Sequence, residues 1–336
     1  MITFCEYMEQ VLYGPAGYYS SGTAKSGKAG DYFTAPDVGS AFGQLLAEIF
    51  TGWQEKLDSE HFCLIEAGAG EGRLAKDILQ TRPFRYIAVE RSPVRRSFLE
   101  PIRAQFPSQF EIHADLKRLN NLTGVLFANE LIDAFPVHRV QFKKGRLQEL
   151  FVEGLGERRR FVWKPPSTPE LEAYFKRLGL TLPDGYETEL NLGMTDWLQD
   201  AARTLKEGLI VLIDYGRPAH EYYAPERTRG TLRSFSKHKV SADFLDPAGM
   251  VDLTADVDFT SLALDAKAAG FVPLAFMEMG TFLLQGAAKL KAAPKGLKYL
   301  IHPEGMGSAF HVLVLGKGID PGKWVFEHNR LGRLGL

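Results

Sequence analysis

Short apolar runs alternate with amphipathic segments through the middle of the chain. The run F-C-L-I at positions 62–65 has no polar residue, which is typical of a strand covered on both faces of a parallel sheet. From Arg73, the stretch R-L-A-K-D-I-L-Q has helical spacing instead. The same patterns predict strands at 62–67, 85–90, 109–113, 124–129 and 208–216, and helices at 72–80 and 92–105. This alternation predicts an α/β fold built on a Rossmann-like parallel sheet.

Further patterned segments flank and interrupt that sheet. Apolar residues at helical spacing predict helices at 3–12 and 38–57, and short alternating runs from 137 to 163 predict a β-meander. The other predicted elements are helices at 168–178, 192–205, 258–269 and 280–291 and strands at 271–277 and 311–315. Residues 217–257 look irregular, so they form either a functional loop or elements that the pattern does not reveal.

These elements predict a division of the chain into three parts. Residues 1–60 form N-terminal helices and a lid loop. Residues 61–136 and 207–336 together form the Rossmann-like core. Residues 137–206, with their meander and helices, are inserted into that core, which is where substrate-recognition elements are commonly found.

A glycine-rich turn follows the first strand of the predicted sheet. Gly68, Gly70 and Gly72 occupy alternate positions between that strand and the next helix, an arrangement that brings bare backbone and a helix N-terminus against a nucleotide. Glu90 ends the second strand, twenty residues after Gly70, where a carboxylate can accept from both hydroxyls of a ribose. A tight turn without a ligand is the alternative.

Two residues around the turn indicate which nucleotide it binds. A dinucleotide fingerprint needs Gly or Ala at the sixth position of G-x-G-x-x-G, and here that position is Arg73. Glu66 ends the strand two residues before the first glycine, where its charge would repel a pyrophosphate and attract the ammonium and sulfonium of S-adenosylmethionine. The turn therefore favours a methyl donor over NAD.

Polar residues follow the third and fourth strands as well. Because the carboxyl ends of strands line the crevice of such a sheet, Asp115 is predicted to reach the adenine amino group, although it could instead cap the following turn. We also assign Leu116 and Asn129 to the cofactor. Glu130 and Asp133 are three residues apart, so one helical turn would put both carboxylates on one face. Such a pair is costly unless a cation lies against it.

The segment 14–37 is rich in Gly, Ser, Tyr and Pro and carries four aromatic residues. Tyr18, Tyr19, Tyr32 and Phe33 are costly to leave in water, so they are expected to cover something. A lid over the nucleotide is the preferred interpretation, and an ordinary surface loop is the alternative.

Composition excludes several classes of function. The 40 basic and 41 acidic residues give a net charge of -1, which offers no electrostatic footprint for nucleic acid, although a local basic patch at 158–160 could exist. Cys5 and Cys63 are the chain's two cysteines, so a disulfide framework is not expected. The first 24 residues contain no Lys or Arg, which argues against a signal or transit peptide, and no apolar stretch is long enough for a membrane span. We expect a cytoplasmic protein.

Several longer motifs resemble one known family. They are L-Y-G-P-A-G-Y-Y, G-D-Y-F-T-A-P, E-A-G-A-G-E-G, N-E-L-I-D-A-F-P, I-D-Y-G, G-T-L-R with His238, D-L-T-A-D-V-D-F and M-G-S-A-F-H-V. With these motifs the chain resembles the MidA-like methyltransferases, the family that includes the mitochondrial complex I assembly factor that methylates an arginine. The likeness runs from Tyr7 to Leu313 and, without a presequence, is to a bacterial member. One departure is Asp256, where the family usually has His, so the substrate could differ.

The resemblance implies a class I methyltransferase fold that uses S-adenosylmethionine, yields S-adenosylhomocysteine and modifies an arginine of a protein. A subunit of respiratory complex I is the implied partner, no metal is implied, and a homodimer is among the oligomeric states left open. Glu130 and Asp133 are the candidate catalytic residues, because paired carboxylates hold a guanidinium by bidentate hydrogen bonds. The candidate substrate-binding residues are Asp31, Tyr32, Thr34 and His238. A non-catalytic assembly factor with a retained fold and an NAD-linked oxidoreductase are the alternatives.

Overall fold

The computed structural model describes residues 1–21, 34–154, 156–236, 239–241, 244–245 and 251–336. Within these ranges the helices are α1 (Phe4–Tyr13), α2 (Ala41–Leu57), α3 (Arg73–Thr81), α4 (Pro93–Gln105), α5 (Glu170–Leu178), α6 (Met194–Thr204), α7 (Ala219–Tyr222), α8 (Phe259–Ala268), α9 (Met279–Ala287) and α10 (Leu297–Ile301). None of them is long and apolar enough to cross a membrane.

The strands of the same ranges are β1 (Ile2–Thr3), β2 (Phe62–Ala67), β3 (Arg85–Val89), β4 (Phe110–His113), β5 (Leu122–Asn129), β6 (His138–Lys143), β7 (Arg146–Glu153), β8 (Arg160–Lys164), β9 (Glu187–Leu190), β10 (Leu205–Arg217), β11 (Arg233–Ser236), β12 (Lys239–Ser241), β13 (Asp252–Thr254), β14 (Val257–Asp258), β15 (Val272–Glu278) and β16 (Phe310–Lys317). Most of the predicted strands and helices appear within a few residues of their predicted bounds.

The central sheet of the described residues has the order β15-β16-β10-β5-β2-β3-β4, with β14 beside β10. β10, β5, β2, β3 and β4 run parallel. At one edge β16 pairs antiparallel with β10, and β15 pairs antiparallel with β16. The chain turns from one side of β2 to the other between β4 and β5, and ligands bind at such a switch point in open α/β sheets. The predicted Rossmann-like α/β sheet is confirmed.

Both faces of this sheet are covered by helices. On one face Leu64 and Phe127 pack with the apolar side of α2, α3 and α9. On the other face Ile65 and Leu126 pack with α6 and α8. Because neighbouring residues of one strand point to opposite faces, a strand buried on both sides has to be apolar throughout, which is why β2 could be predicted from its sequence.

A second sheet forms outside the core. Its order is β1-β7-β6-β9, with β8 beside β7, so the predicted meander is confirmed and two short strands join it. Helix α1 packs through Phe4 against Leu150 of β7 and Leu253 of β13, whereas Leu198 of α6 belongs to the core of the central sheet. The division into three parts stays a prediction.

The stretch predicted to be irregular contains regular structure. β11 pairs with β12 and β13 in a small antiparallel sheet, and β14 extends beside β10. The strands have two to four residues each, too few for an alternating pattern to stand out, so the second interpretation of residues 217–257 is the right one for the part described.

Candidate functional site

A cavity of about 820 Å³ opens at the carboxyl ends of the parallel strands. It is lined by the residues that follow β2, β3, β4 and β5 and by Tyr215 at the end of β10. Of the residues predicted for the site, those that line it are Thr34, Glu66, Gly68, Gly70, Glu90, Asp115, Leu116, Asn129, Glu130 and Asp133. Asp31, Tyr32 and His238 lie outside the described residues.

We call the part of the cavity around Glu66, Gly70, Glu90 and Asp115 the glycine-turn end. Gly70 has a φ of 56°, a left-handed conformation that glycine adopts without strain. Its N–H donates to Glu90 Oε2 at 2.9 Å. A Cβ added to Gly70 would lie 3.5 Å from Arg95 Nη1 and 4.0 Å from the Gly68 carbonyl oxygen, both ordinary van der Waals contacts. The backbone of the turn is therefore bare on its cavity side, as a close ligand requires.

Gly72 corrects one sequence assignment. It caps the N-terminus of α3 with a φ of 76°, and it does not line the cavity. A Cβ there would lie 2.6 Å from Leu99 Cδ2 and would collide with Ile102, both on α4. Gly72 thus lets α3 pack closely against α4.

Glu90 and Glu66 present carboxyl groups to the glycine-turn end in different ways. Glu90 Oε1 accepts from the N–H of Ser92 at 2.8 Å while Oε2 holds Gly70, so its carboxylate fixes the turn and keeps lone pairs for a ligand. Glu66 accepts a hydrogen bond from the Tyr86 hydroxyl at 2.7 Å. Burial raises the pKa of Glu66 to about 8, and the nearby Glu90 charge adds to the rise. A cation at this end would offset the cost of ionising Glu66.

Two buried oxygens at the same edge of the sheet have no partner among the described residues. They are Oδ1 of Asp115 and Oδ1 of Asn129. Asp115 precedes a 3₁₀ turn but makes no side-chain capping bond to it, so the capping alternative is wrong. Buried acceptors are rarely left unpaired. These two oxygens therefore fit a ligand with hydrogen-bond donors, such as the amino groups of S-adenosylmethionine.

We call the other part of the cavity, around Glu130, Asp133, Tyr215 and Asp252, the carboxylate end. Glu130 has a φ of 51°, which is uncommon for a residue with a side chain. Its Oε1 accepts from Asn129 Nδ2 at 3.1 Å and from the N–H of Ala35 at 3.3 Å. Burial and, to a lesser extent, the Asp133 charge raise the pKa of Glu130 to about 8. Burial also raises the pKa of Asp133 well above its usual value, as do the charges of Asp214 and Asp252.

Sequence reasoning missed the residue that holds this pair in place. Asp214, 1% exposed, follows Ile213, the last residue of β10 that pairs with the parallel strand β5. Its Oδ2 accepts from the N–H groups of Ile132 at 2.8 Å and Asp133 at 3.2 Å. Its Oδ1 accepts from the Tyr215 N–H at 2.8 Å. The strand-end rule that singled out Asp115 applies equally to Asp214 and could have found it.

Aromatic residues of the N-terminal segment form one wall of the cavity. The Tyr13 hydroxyl donates to the Ala134 carbonyl at 2.8 Å, and the Tyr19 hydroxyl donates to Asp252 Oδ1 at 2.9 Å. The Tyr19 carbonyl also accepts from Ser92 Oγ at 2.8 Å. Tyr13 and Tyr19 line the cavity, as the lid interpretation expects of Tyr19, whereas Tyr18 is buried beside α1. Tyr32 and Phe33 lie outside the described residues.

Thr34 lies at the rim, where its N–H and hydroxyl both donate to Asp37 Oδ2, at 2.9 and 2.8 Å. Asp37 in turn pairs with Arg73, the residue that interrupts the dinucleotide fingerprint. Thr34 therefore shapes the rim through Asp37. In the described part of the chain, no group of three or more His, Cys, Asp or Glu side chains is arranged to hold a metal ion.

Comparison with known proteins decides the family. Residues 44–277 match the model of a family described as putative S-adenosyl-L-methionine-dependent methyltransferases. The chain belongs to this family. Its activity is methyl transfer from S-adenosylmethionine, and the unpartnered oxygens and bare turn of the glycine-turn end fit that cofactor. The family match favours methyl transfer over the NAD-linked oxidoreductase considered from the sequence.

Named relatives and a solved structure share nearly the whole chain. It is 31% identical to the mitochondrial protein arginine methyltransferase NDUFAF7 homolog of Drosophila melanogaster, covering 95% of this chain and 82% of that one. It is 27% identical to mitochondrial protein arginine methyltransferase NDUFAF7 of Homo sapiens, covering 94% and 80%. A candidate methyltransferase from Burkholderia thailandensis, solved with S-adenosyl-homocysteine bound, has a TM-score of 0.83 at 28% identity, covering 95% of this chain and 88% of that one.

Proposed function

We propose that this methyltransferase modifies the guanidinium of an arginine in a protein substrate. The observation that carries the proposal is the carboxylate end, where Glu130 and Asp133 face the cavity with raised pKa values. Carboxyl groups crowded in this way take up a cation readily, because it allows them to ionise together. The arginine methyltransferase names of the relatives from Drosophila melanogaster and Homo sapiens support the same substrate class.

The chemistry asks little of the protein besides alignment and charge. Bound S-adenosylmethionine supplies a methyl group that is already activated on a positively charged sulfur. Glu130 and Asp133 hold the guanidinium by charge-assisted hydrogen bonds and draw its positive charge away from one nitrogen, which regains a lone pair. Glu130, whose pKa is about 8 in the free protein, ionises when the positively charged guanidinium binds beside it. When the nitrogen forms its bond to carbon it loses one proton, which the ionised Glu130 is placed to accept.

The decisive experiment is Glu130→Gln, which keeps the shape of the side chain and removes its charge. We expect single-turnover methylation of an arginine peptide to fall at least 100-fold, on the order of 3 kcal/mol in transition-state free energy, with little change in cofactor affinity. Asp133→Asn should behave similarly. The double variant should be hardly worse than either single one, because residues that act as a unit are not additive.

A buried carboxylate outside the cavity provides the matched control. Glu48, 6% exposed, pairs with Arg82 and does not line the cavity. Glu48→Gln should lower the melting temperature and leave the rate per folded molecule unchanged. If Glu130→Gln behaves like this control, Glu130 is structural and the acceptor has to be sought among less basic nucleophiles.

The identity of the acceptor extends the proposal. The sequence resemblance supports a subunit of respiratory complex I as the protein that is methylated. The two cysteines, for which no disulfide framework is expected, support the cytoplasm as the compartment. Mass spectrometry of a deletion strain should find one or more methylarginines lost from complex I. Their presence at wild-type levels would exclude that partner while leaving the arginine chemistry to the kinetic experiment.

A further inference from the structure

A guanidinium of the protein itself lies at the carboxylate end. Arg233 begins β11, pairs in register with Thr254 of β13, and lines the cavity. Its Nη2 forms an ion pair with Oδ1 of Asp256, whose side chain is 8% exposed while that of Arg233 is 39% exposed. Asp256 does not line this cavity. Arg233 is therefore held by a residue, Asp256, that is not itself part of the cavity lining.

The carboxylate proposed to bind the acceptor is close to the same guanidinium. The N–H of Ala255, next to Asp256, donates to the carbonyl of Asp133 at 2.9 Å, so the two aspartates are carried by hydrogen-bonded backbone segments. The charge of Arg233 lowers the pKa of Asp133, against the larger effect of burial. Arg233 Nε is buried and has no partner in the described ranges, so the guanidinium has a donor to spare.

This arrangement sets up a competition inside the protein. The side chain of Arg233 carries the same functional group as the acceptor, and a group tethered within a site acts at an effective concentration of about millimolar or higher. Free to turn toward Asp133, it would occupy the carboxylate that the incoming guanidinium needs. The ion pair with Asp256 restrains the guanidinium at the cavity wall.

We propose that Asp256 is a positioning residue that holds the guanidinium of Arg233 aside, so that Asp133 stays open to the acceptor arginine. The inference rests on the proposed function for the nature of the acceptor. It assigns to Asp256 an effect on acceptor binding that it exerts through Arg233 and without touching the substrate. A purely structural role, in which the ion pair only fastens β11 to residue 256, is the competing explanation.

The position of Arg233 is the first test, and it needs no acceptor. In crystal structures of Asp256→Ala and of the more conservative Asp256→Asn, each with S-adenosylhomocysteine added, we expect the Arg233 guanidinium within hydrogen-bond distance of Asp133 in the Ala variant. If it keeps its place in both variants, the proposal is overturned. Because this test involves no methyl transfer, its outcome does not depend on whether arginine is the acceptor.

Kinetics with an arginine peptide give the second test. Asp256→Ala should raise KM for the peptide about tenfold, Asp256→Asn should raise it less, and the dissociation constant of the cofactor should stay within about twofold. Adding Arg233→Gln to Asp256→Ala should bring KM back toward that of the wild type, since the competitor is gone. A structural role predicts that the double variant is as impaired as Asp256→Ala or more so, and that result would refute the proposal.

Controls separate this inference from the proposed function. Glu153→Gln removes the carboxylate of an exposed ion pair with Arg160, outside the cavity, and should leave KM unchanged. Failure of the wild-type enzyme to methylate any arginine peptide would count against arginine as the substrate. The crystal structures of the Asp256 variants would still show whether Asp256 holds Arg233 aside.

Discussion

The two ends of the cavity are built in different ways from the same chain. The glycine-turn end comes mostly from one continuous stretch, in which the N–H of Gly70 reaches Glu90 only twenty residues later. The carboxylate end is assembled from distant segments, since Glu130 accepts from Ala35 and Tyr19 reaches Asp252 across 233 residues. A cofactor site that recurs in many enzymes can be carried by a local motif, whereas the proposed acceptor site depends on how the whole chain folds.

Their electrostatics differ as well. The glycine-turn end offers bare backbone and unpartnered oxygens to a ligand rich in donors. At the carboxylate end burial raises the pKa values of Glu130, Asp133 and Asp214, and the charges of neighbouring carboxylates add to the rise. The first end is suited to recognise the shape and donors of one small molecule. The second holds carboxyl groups whose ionisation a cation would favour, which is why we propose a cationic acceptor.

Gly70→Val should have the largest effect, because its side chain would project into the space left for the cofactor at the glycine-turn end. We expect a more than 100-fold loss of affinity for S-adenosylmethionine in isothermal titration, with the fold retained. Backbone strain at a φ of 56° contributes only about 1–2 kcal/mol. Gly145→Val is the matched control, since Gly145 has a φ of 69° and open space around it. Equal losses in both variants would show that strain alone explains the result.

Asp214→Asn tests whether the carboxylate end depends on a residue that does not face the cavity. The NH2 group of Asn would face N–H groups that now donate to Asp214, and two donors repel each other. The turn that carries Glu130 and Asp133 should therefore become less ordered. We expect the methylation rate to fall roughly 10–100-fold while cofactor affinity changes less than about twofold. Asp258, a buried aspartate that accepts from the Thr260 and Ser261 N–H groups at the start of α8, gives the control Asp258→Asn. That variant should lose stability alone; a similar loss of rate there would mean that destabilisation is the cause.

The pH dependence of cofactor binding should reveal Glu66. Its pKa of about 8 in the free protein means that it is mostly protonated at pH 7, and the cofactor's ammonium favours the ionised form. Binding below pH 8 therefore releases a proton, and affinity should rise as pH rises, by up to about tenfold between pH 6.5 and 7.5, then level off above 8. Glu66→Gln should remove this slope. An unchanged slope in that variant would assign the proton to another group.

Asp115→Ala should have the smallest effect of the four. Loss of one hydrogen bond to the adenine amino group should weaken binding about fivefold, or roughly 1 kcal/mol. An analogue with hypoxanthine in place of adenine lacks that amino group, so Asp115→Ala should change its affinity much less. If both ligands lose equally, Asp115 acts on the shape of the turn and not on the base.

What the sequence could predict follows from the same contrast. β2 matched its predicted bounds because a strand buried on both faces must be apolar. Once β2 was placed, the glycine turn and Glu90 could be located from their distance along the chain. β9, with the sequence E-T-E-L, was missed because two of its four residues are glutamates, so it shows no apolar pattern. Arg233 and Asp252 reach the carboxylate end only through strand pairing and long loops. No regular spacing along the chain predicts such contacts. Gly72 shows the opposite problem: it occupies a motif position assigned to the cofactor, and the structure uses it for helix packing.

A continuous series of hydrogen bonds joins the two ends of the cavity. Gly70 and Ser92 donate to the two oxygens of Glu90, the Ser92 hydroxyl donates to the Tyr19 carbonyl, and the Tyr19 hydroxyl donates to Asp252. We expect a cofactor that orders the glycine turn also to order Tyr19 and Asp252, which line the carboxylate end. The mechanism should therefore be ordered, with the cofactor binding first. Thermodynamic linkage makes this coupling reciprocal: an acceptor peptide should tighten cofactor binding by the same factor by which the cofactor tightens peptide binding. Tyr19→Phe should reduce both factors by the same amount.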